Sequence, residues 1–387
     1  MAVRHGYGKI AGADALVFAY DTGDTRNSYR GEPTTNLIPQ MAATIGGNTS
    51  LSYPQTVYIS TALETNVVDP TAPGGQYSRF VGNTESANNQ LYTTFNAAGI
   101  DVRNSTITYS VYLKGSGTCH LTIYADNAGY GTSPDITLTS EWTRYTYTSA
   151  VTNYTTNCWV AVRGLYPTTN VYVAAQQAEI KSHATQFVNG TRSATQGLLD
   201  LTGNNTVNLV SATFDSNAQI DLDGTNTSIY PGTVTGASAL SEVTLEIVCK
   251  SNANNKNLFL TAGNALLLHY GGAGFYLVSS DNVASGYLGW NNALGGGAGV
   301  YEHLTATWDG STMKLYVNGQ QTASDRAFSG GGTGVLKPFN NATLGGYFNS
   351  TQPNFNGKID VAKIYNRALS SAEVANNYRQ YKSRFNL

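Results

Sequence analysis

The sequence is poor in charge: Asp, Glu, Lys and Arg together make up 12% of its 387 residues, about half the fraction found in a typical soluble domain. The 22 basic and 24 acidic residues nearly balance, which leaves a formal net charge of −2. Because the chain lacks the basic surface of a nucleic-acid binder, we expect no nucleic-acid partner. The composition also argues against helical bundles and coiled coils, which need residues such as Glu and Lys in bulk.

Cysteine is scarce, and the three present are Cys119, Cys158 and Cys249. An odd number cannot be fully paired, and their spacing does not match that of metal ligands. Buried thiols, typical of a chain made in a reducing cytoplasm, are what we expect. A disulfide between Cys119 and Cys158 is the alternative, because both lie in strand-like segments.

Long apolar runs are missing as well. No stretch approaches 18 consecutive apolar residues, so the sequence predicts no membrane insertion. Residues 1–8 carry charge but no apolar segment. This predicts a protein made in the cytoplasm without a secretory signal peptide.

Glycine, tyrosine, threonine and asparagine are abundant instead. The 41 glycines and the asparagines suit turns, whereas the 26 tyrosines and the threonines suit half-buried strands. Residues 109–114 and 144–148 alternate as strands do, and similar segments return after about residue 190. The Asn318-Gly319 pair between two of them predicts a type I′ hairpin turn. Many short strands at regular intervals predict an all-β fold of two β-sandwich or jelly-roll domains.

One short helix is predicted at the C-terminus. Ser370 and Glu373 have the spacing of a capping box, in which each satisfies a backbone amide of the first turn. Val374, Tyr378 and Tyr381 follow at helical spacing. We therefore expect an amphipathic helix over about 371–383, docked on a sandwich.

The C-terminal half resembles the laminin-G-like, concanavalin-A-like lectin/glucanase superfamily. The resemblance is carried by residues 212–222 followed by 243–248, by residues 302–319, and by residues 342–346 followed by 355–370. Their order and spacing match that family over roughly 180 residues. The resemblance implies a β-sandwich. It implies no single function, because such domains serve lectins, adhesins, virion proteins and enzymes.

The middle region, 36–188, resembles the carbohydrate-binding-module-like jelly rolls that are common in bacteriophage structural proteins. This second resemblance is carried by residues 108–114, by residues 138–145, and by residues 171–180 followed by 184–188. It implies a second all-β domain and, together with the lectin-like region, a phage-like pairing of domains.

The first 35 residues resemble the opening strand and loop of the same lectin-like fold in phage proteins, chiefly through residues 12–21. We therefore expect 1–35 to belong with the sandwich of 189–387. The jelly roll of 36–188 is then an insertion at an exposed loop of that sandwich.

Enzymatic residues are not evident. Glucanases of the resembled superfamily need paired carboxylates about 5–10 Å apart, and the nearest approach to their motif is Glu242 and Glu246 with no acid between them. His303 lies at a position where the histidine of the resembled superfamily most often has a structural role. The protein is therefore expected not to be an enzyme, and no catalytic residue is assigned.

A structural Ca²⁺ is the one cofactor that the sequence suggests. Asp221 and Asp223 place two carboxylates, which are possible oxygen ligands, close together in the sequence. Asp360 lies at a position that is sometimes associated with Ca²⁺ in the family that the C-terminal half resembles. The favoured alternative is that these acids cap turns and bind no metal.

Glycan contact needs aromatic rings that stack on sugars, and loop-like sequence offers two sets. The first holds Tyr287, Trp290 and Asn291, and the second holds Tyr347 and Phe348. The alternative for both is packing against neighbouring subunits of a multimeric particle. The other tryptophans, at positions 142, 159 and 308, lie in strand-like sequence and are expected in cores.

Taken together, the two resemblances imply a non-enzymatic structural protein of a bacteriophage virion. It is expected on the particle surface as capsid decoration, fibre, knob or tail component, made in the host cytoplasm. Its expected partners are other virion proteins, further copies of itself and, through weak multivalent binding, a host surface glycan. The alternative is a lectin-like adhesin, and a polysaccharide-degrading enzyme is a distant third.

Overall fold

The structure is a computed structural model of the chain, and it describes residues 12–38, 55–58, 61–81, 90–95, 99–166, 168–252, 256–261, 266–270, 274–278, 285–289, 298–322, 325–327, 334–346 and 354–387. The chain divides into two compact units. Unit 1 is drawn from Met1–Glu32, Ser193–Asp215 and Gln219–Leu387, and unit 2 from Pro33–Arg192 and Ser216–Ala218.

Unit 1 begins with β1 (Leu16–Asp21), which follows a short 3₁₀ turn at Ala13–Ala15. Unit 2 then contains β2 (Thr34–Thr35), β3 (Gln55–Tyr58), β4 (Thr61–Val68), β5 (Gln76–Val81), β6 (Gln90–Thr94), β7 (Ser105–Ser116), β8 (Thr118–Ala125), β9 (Gly129–Thr132), β10 (Ile136–Thr137), β11 (Thr143–Val151), β12 (Cys158–Arg163), β13 (Asn170–Ile180) and β14 (Thr191–Arg192), with a 3₁₀ turn at Pro73–Gly75.

The rest of unit 1 follows. Its strands are β15 (Asn208–Val210), β16 (Thr213–Phe214), β17 (Ile220–Asp223), β18 (Ser228–Gly232), β19 (Val243–Ser251), β20 (Lys256–Leu260), β21 (Leu266–Tyr270), β22 (Gly274–Val278), β23 (Ser285–Gly289), β24 (Tyr301–Trp308), β25 (Thr312–Val317), β26 (Gln320–Gln321), β27 (Arg326–Ala327), β28 (Ala342–Leu344) and β29 (Asn356–Tyr365), and the chain ends in helix α1 (Ser371–Phe385).

Unit 1 is a sandwich of two antiparallel sheets. One has the order β16-β17-β29-β19-β24-β25-β26, with β1 also on β29 and β27 on β25, and the other has the order β15-β18-β28-β20-β21-β22-β23. Both sheets contribute apolar side chains to one buried core, including Leu245, Trp308 and Leu344. The all-β prediction of sandwich domains with one C-terminal helix is confirmed.

The first strand of the chain lies in the sheet of unit 1. β1 runs antiparallel to β29, with Phe18 opposite Ile364 and Tyr20 opposite Ala362. Phe18 and Tyr20 are fully buried in the core of that unit. Residues more than 300 positions apart in the sequence are therefore neighbours in one sheet, while Pro33–Arg192 forms a unit of its own.

Helix α1 begins where its capping box predicts. The Ser370 side chain accepts a hydrogen bond from the Glu373 amide, and the Glu373 carboxylate accepts one from the Ser370 amide. The Arg367 guanidinium pairs with the same carboxylate and, together with the amide and hydroxyl of Ser370, lowers the pKa of Glu373 to about 2. Val374 and Tyr381 bury the inner face of the helix.

The predicted hairpin turn is also present. Val317 of β25 pairs with Gln320 of β26, which leaves Asn318 and Gly319 as a two-residue loop. Their φ angles are +49° and +75°, the left-handed values that a type I′ turn requires. Asn and Gly adopt such values readily, so this turn fixes the register of the edge strand.

Unit 2 is a second sandwich. Its sheets have the orders β10-β8-β12-β6-β3, with β9 on β8, and β11-β7-β13-β5-β4. The core between them includes Phe80, Tyr109, Val111 and Val160. A separate two-stranded ladder joins β2 to β14, with Thr34 opposite Arg192.

All three cysteines are buried and none of them forms a disulfide, so the disulfide alternative is wrong. Burial raises the pKa of Cys119 and of Cys158 to about 12, which keeps both as unreactive thiols. Within the part of the chain that the structure describes, no helix is long and apolar enough to cross a membrane.

Candidate functional site

Most of the glycan candidates from the sequence lie outside the described residues. This holds for Trp290, Asn291, Tyr347 and Phe348. Tyr287 is in β23, where its backbone pairs opposite Tyr276 of β22. The two aromatic loops therefore stay predictions.

Two of the three metal candidates lie on one strand, β17. Asp221 pairs opposite Thr213 of β16. The Asp223 carboxylate accepts hydrogen bonds from the amide and hydroxyl of Thr225, at 2.8 and 2.7 Å, and from the hydroxyl of Thr227 at 2.9 Å. These bonds lower the pKa of Asp223 against the opposing effect of desolvation. Its carboxylate thus caps the turn that follows β17.

The third metal candidate, Asp360, lies on β29 and is buried. Its carboxylate accepts hydrogen bonds from the Thr22 hydroxyl at 2.5 Å and from the Tyr301 hydroxyl at 2.6 Å. Burial and the Asp360 charge raise the pKa of Tyr301, so this phenol stays protonated and keeps donating. Among the described residues, no group of three His, Cys, Asp or Glu side chains is arranged to hold a metal ion.

A buried polar cluster joins β19, β24 and β29 to α1. Its centre is the Glu246 carboxylate, which has no solvent exposure. The donors to that carboxylate are His303 Nε2 at 3.1 Å, Lys363 Nζ at 3.1 Å, Tyr365 OH at 2.7 Å and Asn377 Nδ2 at 2.9 Å. Because a carboxylate only accepts, His303 Nε2 carries the proton of this hydrogen bond.

Burial alone raises the pKa of Glu246, but the Lys363 ammonium and the hydrogen bonds from His303 and Tyr365 outweigh it, and the pKa lies well below its usual range. The same ion pair raises the pKa of Lys363 despite its burial. The Lys363 ammonium also lies 4.7 Å from the centre of the Tyr381 ring. The Glu246 carboxylate is therefore charged and accepts four hydrogen bonds, and the one from Asn377 links α1 to the sheet.

This arrangement does not provide the acid pair of a glucanase. Glu246 is inaccessible to substrate, and Glu242 accepts a hydrogen bond from the Ala368 amide at 3.1 Å. His303 lies in the buried cluster, in the structural position that the resemblance implies.

Unit 2 carries aromatic side chains on the outer face of its six-stranded sheet, which we call the aromatic face: Tyr92, Tyr124, Tyr130 and Trp159, with Arg163 beside them. Tyr124 stacks on Trp159 with ring centroids 4.8 Å apart and lies 4.6 Å from Tyr130. Tyr92 and Tyr130 each lie 5.8 Å from Trp159. The Arg163 guanidinium lies 4.3 Å from the centre of the Tyr130 ring.

The five-stranded sheet of the same unit has an aromatic group of different character. Tyr172 lies 5.5 Å from Tyr77, and Tyr77 lies 6.4 Å from Trp142. The Lys114 ammonium lies 4.7 Å from the Trp142 ring and 5.0 Å from the Tyr172 ring, and Arg79 lies 5.1 Å from Tyr172. The chain's own cations therefore lie over Trp142 and Tyr172, as Arg163 lies over Tyr130 on the other sheet.

Three tryptophans were predicted to lie in cores: Trp308 is fully buried in the core of unit 1 and Trp159 is also buried, whereas Trp142 is not. Trp142 precedes β11 and is half-buried. Trp159 is 8% exposed but lies outside the core of unit 2. The alternation of side chains along β12 could have predicted this position. Trp159 and Arg163 are four residues apart, so they lie on the same face of the strand.

Comparison with known proteins supports the lectin-like sandwich. Residues 222–375 match a family model described as the concanavalin A-like lectin/glucanases superfamily, Laminin_G_3. This part of unit 1 thus has a concanavalin A-like lectin fold. No curated protein matches the chain.

Several solved structures are similar at low identity. The ligand-binding domain of botulinum neurotoxin serotype D, in complex with N-acetylneuraminic acid, is 14% identical with a TM-score of 0.39. The binding domain of botulinum neurotoxin serotype G is 15% identical with a TM-score of 0.39, and for both the match covers 49% of each chain. Domain 4 of an extracellular GH43 arabinanase from Geobacillus stearothermophilus, in complex with arabinotriose, is 17% identical with a TM-score of 0.34, over 48% of this chain and 93% of that one. The chain spans about half the length of the neurotoxin domains.

Proposed function

We propose that this protein is a non-enzymatic carbohydrate-binding protein of a bacteriophage particle. It is displayed on the particle surface, as capsid decoration, fibre, knob or tail component, and it helps the particle attach to a host glycan. The observation that carries the carbohydrate-binding part is the match of residues 222–375 to the concanavalin A-like lectin/glucanases superfamily. The virion part is supported by the pairing of that sandwich with a jelly roll, which resembles phage structural proteins.

The non-enzymatic part of the proposal is supported by the carboxylates. In the lectin-like unit, Glu246 is committed to a buried ion pair with Lys363. Glu242 accepts a backbone hydrogen bond. A retaining or inverting glycosidase needs two carboxyl groups that face the same sugar, and the buried Glu246 carboxylate is not accessible to one.

The proposed mode of action is passive and multivalent. A near-neutral chain rich in Tyr, Thr and Asn makes many weak contacts rather than one strong electrostatic one. Copies of the protein held on one particle, with other virion proteins as partners, raise the effective concentration at a cell surface. Avidity can then exceed single-site affinity by about 10²–10⁴-fold.

A glycan array tests the binding function. We expect the full chain, multimerised on a streptavidin scaffold, to bind a subset of glycans at least about tenfold above the same scaffold without protein. The monomer is expected to bind the same glycans far more weakly, because avidity is lost. If the multimer binds no glycan, the carbohydrate-binding function is wrong.

Immunogold electron microscopy tests the location. Antibodies to the recombinant protein are expected to label intact particles purified from the culture that produces the protein. Pre-absorbing the antibody with the protein provides the control. Glycan binding without particle labelling would favour the lectin-like adhesin instead.

A further inference from the structure

We infer that β11 is a pairing edge, through which two copies of this chain join antiparallel so that their five-stranded sheets become continuous. The pairing goes beyond the proposed function, which calls for many copies on one particle but assigns no contact between them. It uses the backbone of unit 2 rather than a ligand site.

β11 lies at an edge of the five-stranded sheet. Within the part of the chain that the structure describes, its one strand neighbour is β7. In an antiparallel ladder, alternate residues direct their amide and carbonyl groups away from the neighbouring strand. The outer side of β11 therefore offers a row of backbone donors and acceptors, which is a template for a further strand.

β11 also lacks the features that commonly prevent edge pairing, which are lysine, proline, bulges and short length. It is nine residues long, and all nine pair with β7 without a register shift. The opposite edge strand, β4, shifts register against β5 in two places. In the facing sheet, β3 has four residues and β10 has two. Among these edges of unit 2, β11 is therefore the one suited to pairing.

Internal contacts hold β11 in place before a partner binds. Tyr145 and Tyr147 pack against the core of unit 2. The Thr148 and Thr108 hydroxyls are hydrogen-bonded at 2.8 Å, and the Arg144 guanidinium donates to the Ser110 hydroxyl at 2.9 Å. Pairing then orders little additional chain, so its entropic cost is low.

The sequence of β11 fits a second copy of itself. Tyr147 is its central residue, so an antiparallel pairing centred on Tyr147 overlaps all nine residues of both strands. The exposed Thr146 of one copy then lies opposite the exposed Thr148 of the other. Arg144, the one charged residue of the strand, lies opposite Ala150. Threonine pairs stabilise a sheet and no like charges meet, so the pairing is favourable with the twofold symmetry common in homodimers.

A single strand pair is a small interface, and its size sets the strength that we expect. Interfaces that bury less than about 1,200 Å² are typical of weak, transient complexes. In solution the dimer is therefore expected to be weak, with a Kd on the order of 10 μM. Where many copies are held on one surface, the same contact persists because the effective concentration is high.

Sedimentation velocity of the full chain over about 1–100 μM protein tests the pairing. Ala150→Lys places a positive charge opposite Arg144 of the other copy at both ends of the strand pair, whereas Ala150→Glu places a negative charge there. Ala150 is exposed and lies opposite the neutral Thr106 in its own sheet, so neither charge is expected to disturb the fold, which thermal unfolding checks. Val68→Lys is the matched control, because Val68 ends β4 and is 82% exposed.

We expect the wild type and Val68→Lys to dimerise equally. At about 50 mM salt, where screening is weak, Ala150→Lys is expected to raise the Kd at least about tenfold and Ala150→Glu to lower it at least about threefold. The pairing is overturned if the chain stays monomeric at about 100 μM, forms open-ended polymers, or dimerises alike in both Ala150 variants. A loss of dimer in Val68→Lys equal to that in Ala150→Lys also overturns it, because the contact then involves β4.

The pairing and the proposed function fail in different experiments. In the glycan array the scaffold supplies the multiple copies, so glycan binding there does not depend on β11. A monomeric chain whose scaffold-held multimer binds glycans overturns the pairing and leaves the proposed function standing. A dimer that responds to the Ala150 variants as expected, with no glycan bound on the array, does the reverse.

Discussion

Replacing Glu246 by glutamine is expected to lower the free energy of unfolding of unit 1 by about 3–5 kcal/mol, because it leaves the Lys363 ammonium buried without its counter-charge. Both side chains are at most 2% exposed, and their nitrogen and oxygen atoms are 3.1 Å apart. Water cannot replace the lost carboxylate there. Urea unfolding measures the change, and hydrogen exchange of the β19 amides reports unit 1 alone.

A double-mutant cycle separates the ion pair from the rest of the cluster. Lys363→Met alone leaves the Glu246 carboxylate buried without its counter-charge. The double variant, Glu246→Gln with Lys363→Met, removes both charges. The double variant is therefore expected to lose clearly less stability than the sum of the two single losses. Additive losses would contradict the assignment of the ion pair as the main interaction.

The same ion pair makes the stability of unit 1 depend on pH in the acid range. A carboxyl whose pKa is lowered on folding contributes stability above its unfolded pKa of about 4.3, and that contribution is lost as the pH falls toward the folded value. The pKa of Glu246 is lowered in this way. The difference in stability between wild type and Glu246→Gln should thus be full above about pH 5 and shrink below about pH 4.

Gly357→Ala is expected to lower the free energy of unfolding of unit 1 by more than about 3 kcal/mol. One part is the backbone strain of an alanine at a positive φ, and the other is the steric overlap of its Cβ atom with neighbouring backbone. Gly357 pairs with Leu222 of β17 and Ser251 of β19, at a φ of +136°. A Cβ atom at this position would overlap the backbone carbonyl oxygen of Lys250. Backbone in the middle of a sheet cannot move aside cheaply.

Gly299→Ala is the matched control for that substitution. Gly299 also has a positive φ, +86°, but a Cβ there meets no described atom within 4 Å. Only the conformational strain of about 1–2 kcal/mol is expected. Thermal unfolding of the two variants compares them directly, and equal losses would show that the overlap at Gly357 is relieved.

Local rules were enough to predict the parts of the fold that local contacts determine. The Ser370 and Glu373 capping box and the Asn318-Gly319 turn each depend on a few adjacent residues, and both are present. The start of α1 was predicted to the residue, whereas its end lies at Phe385 rather than about 383. Helix ends depend on packing as well as on sequence, and the Tyr301 ring packs at a tilted angle against Phe385 in the last turn, with ring centroids 4.8 Å apart.

The long-range features could not be read from local patterns. The Glu246 cluster combines three strands and a helix, so no window of sequence contains it. The aromatic face depends on which strands pair, since Tyr124 and Trp159 meet only through the β8 and β12 register. Loop-like aromatics were favoured as sugar contacts, whereas the rings that the structure brings together lie largely within strands.

The ladder between β2 and β14 has a consequence for the order in which the protein folds. Because Thr35 pairs with Thr191, the two ends of unit 2 lie side by side once that unit is folded. To bring β1 to the other strands of unit 1, the chain then closes only a short connection instead of a loop of about 160 residues. This lowers the entropic cost of loop closure by about 3 kcal/mol. The interrupted sandwich is therefore expected to form last, after the segment that interrupts it has brought its pieces within reach.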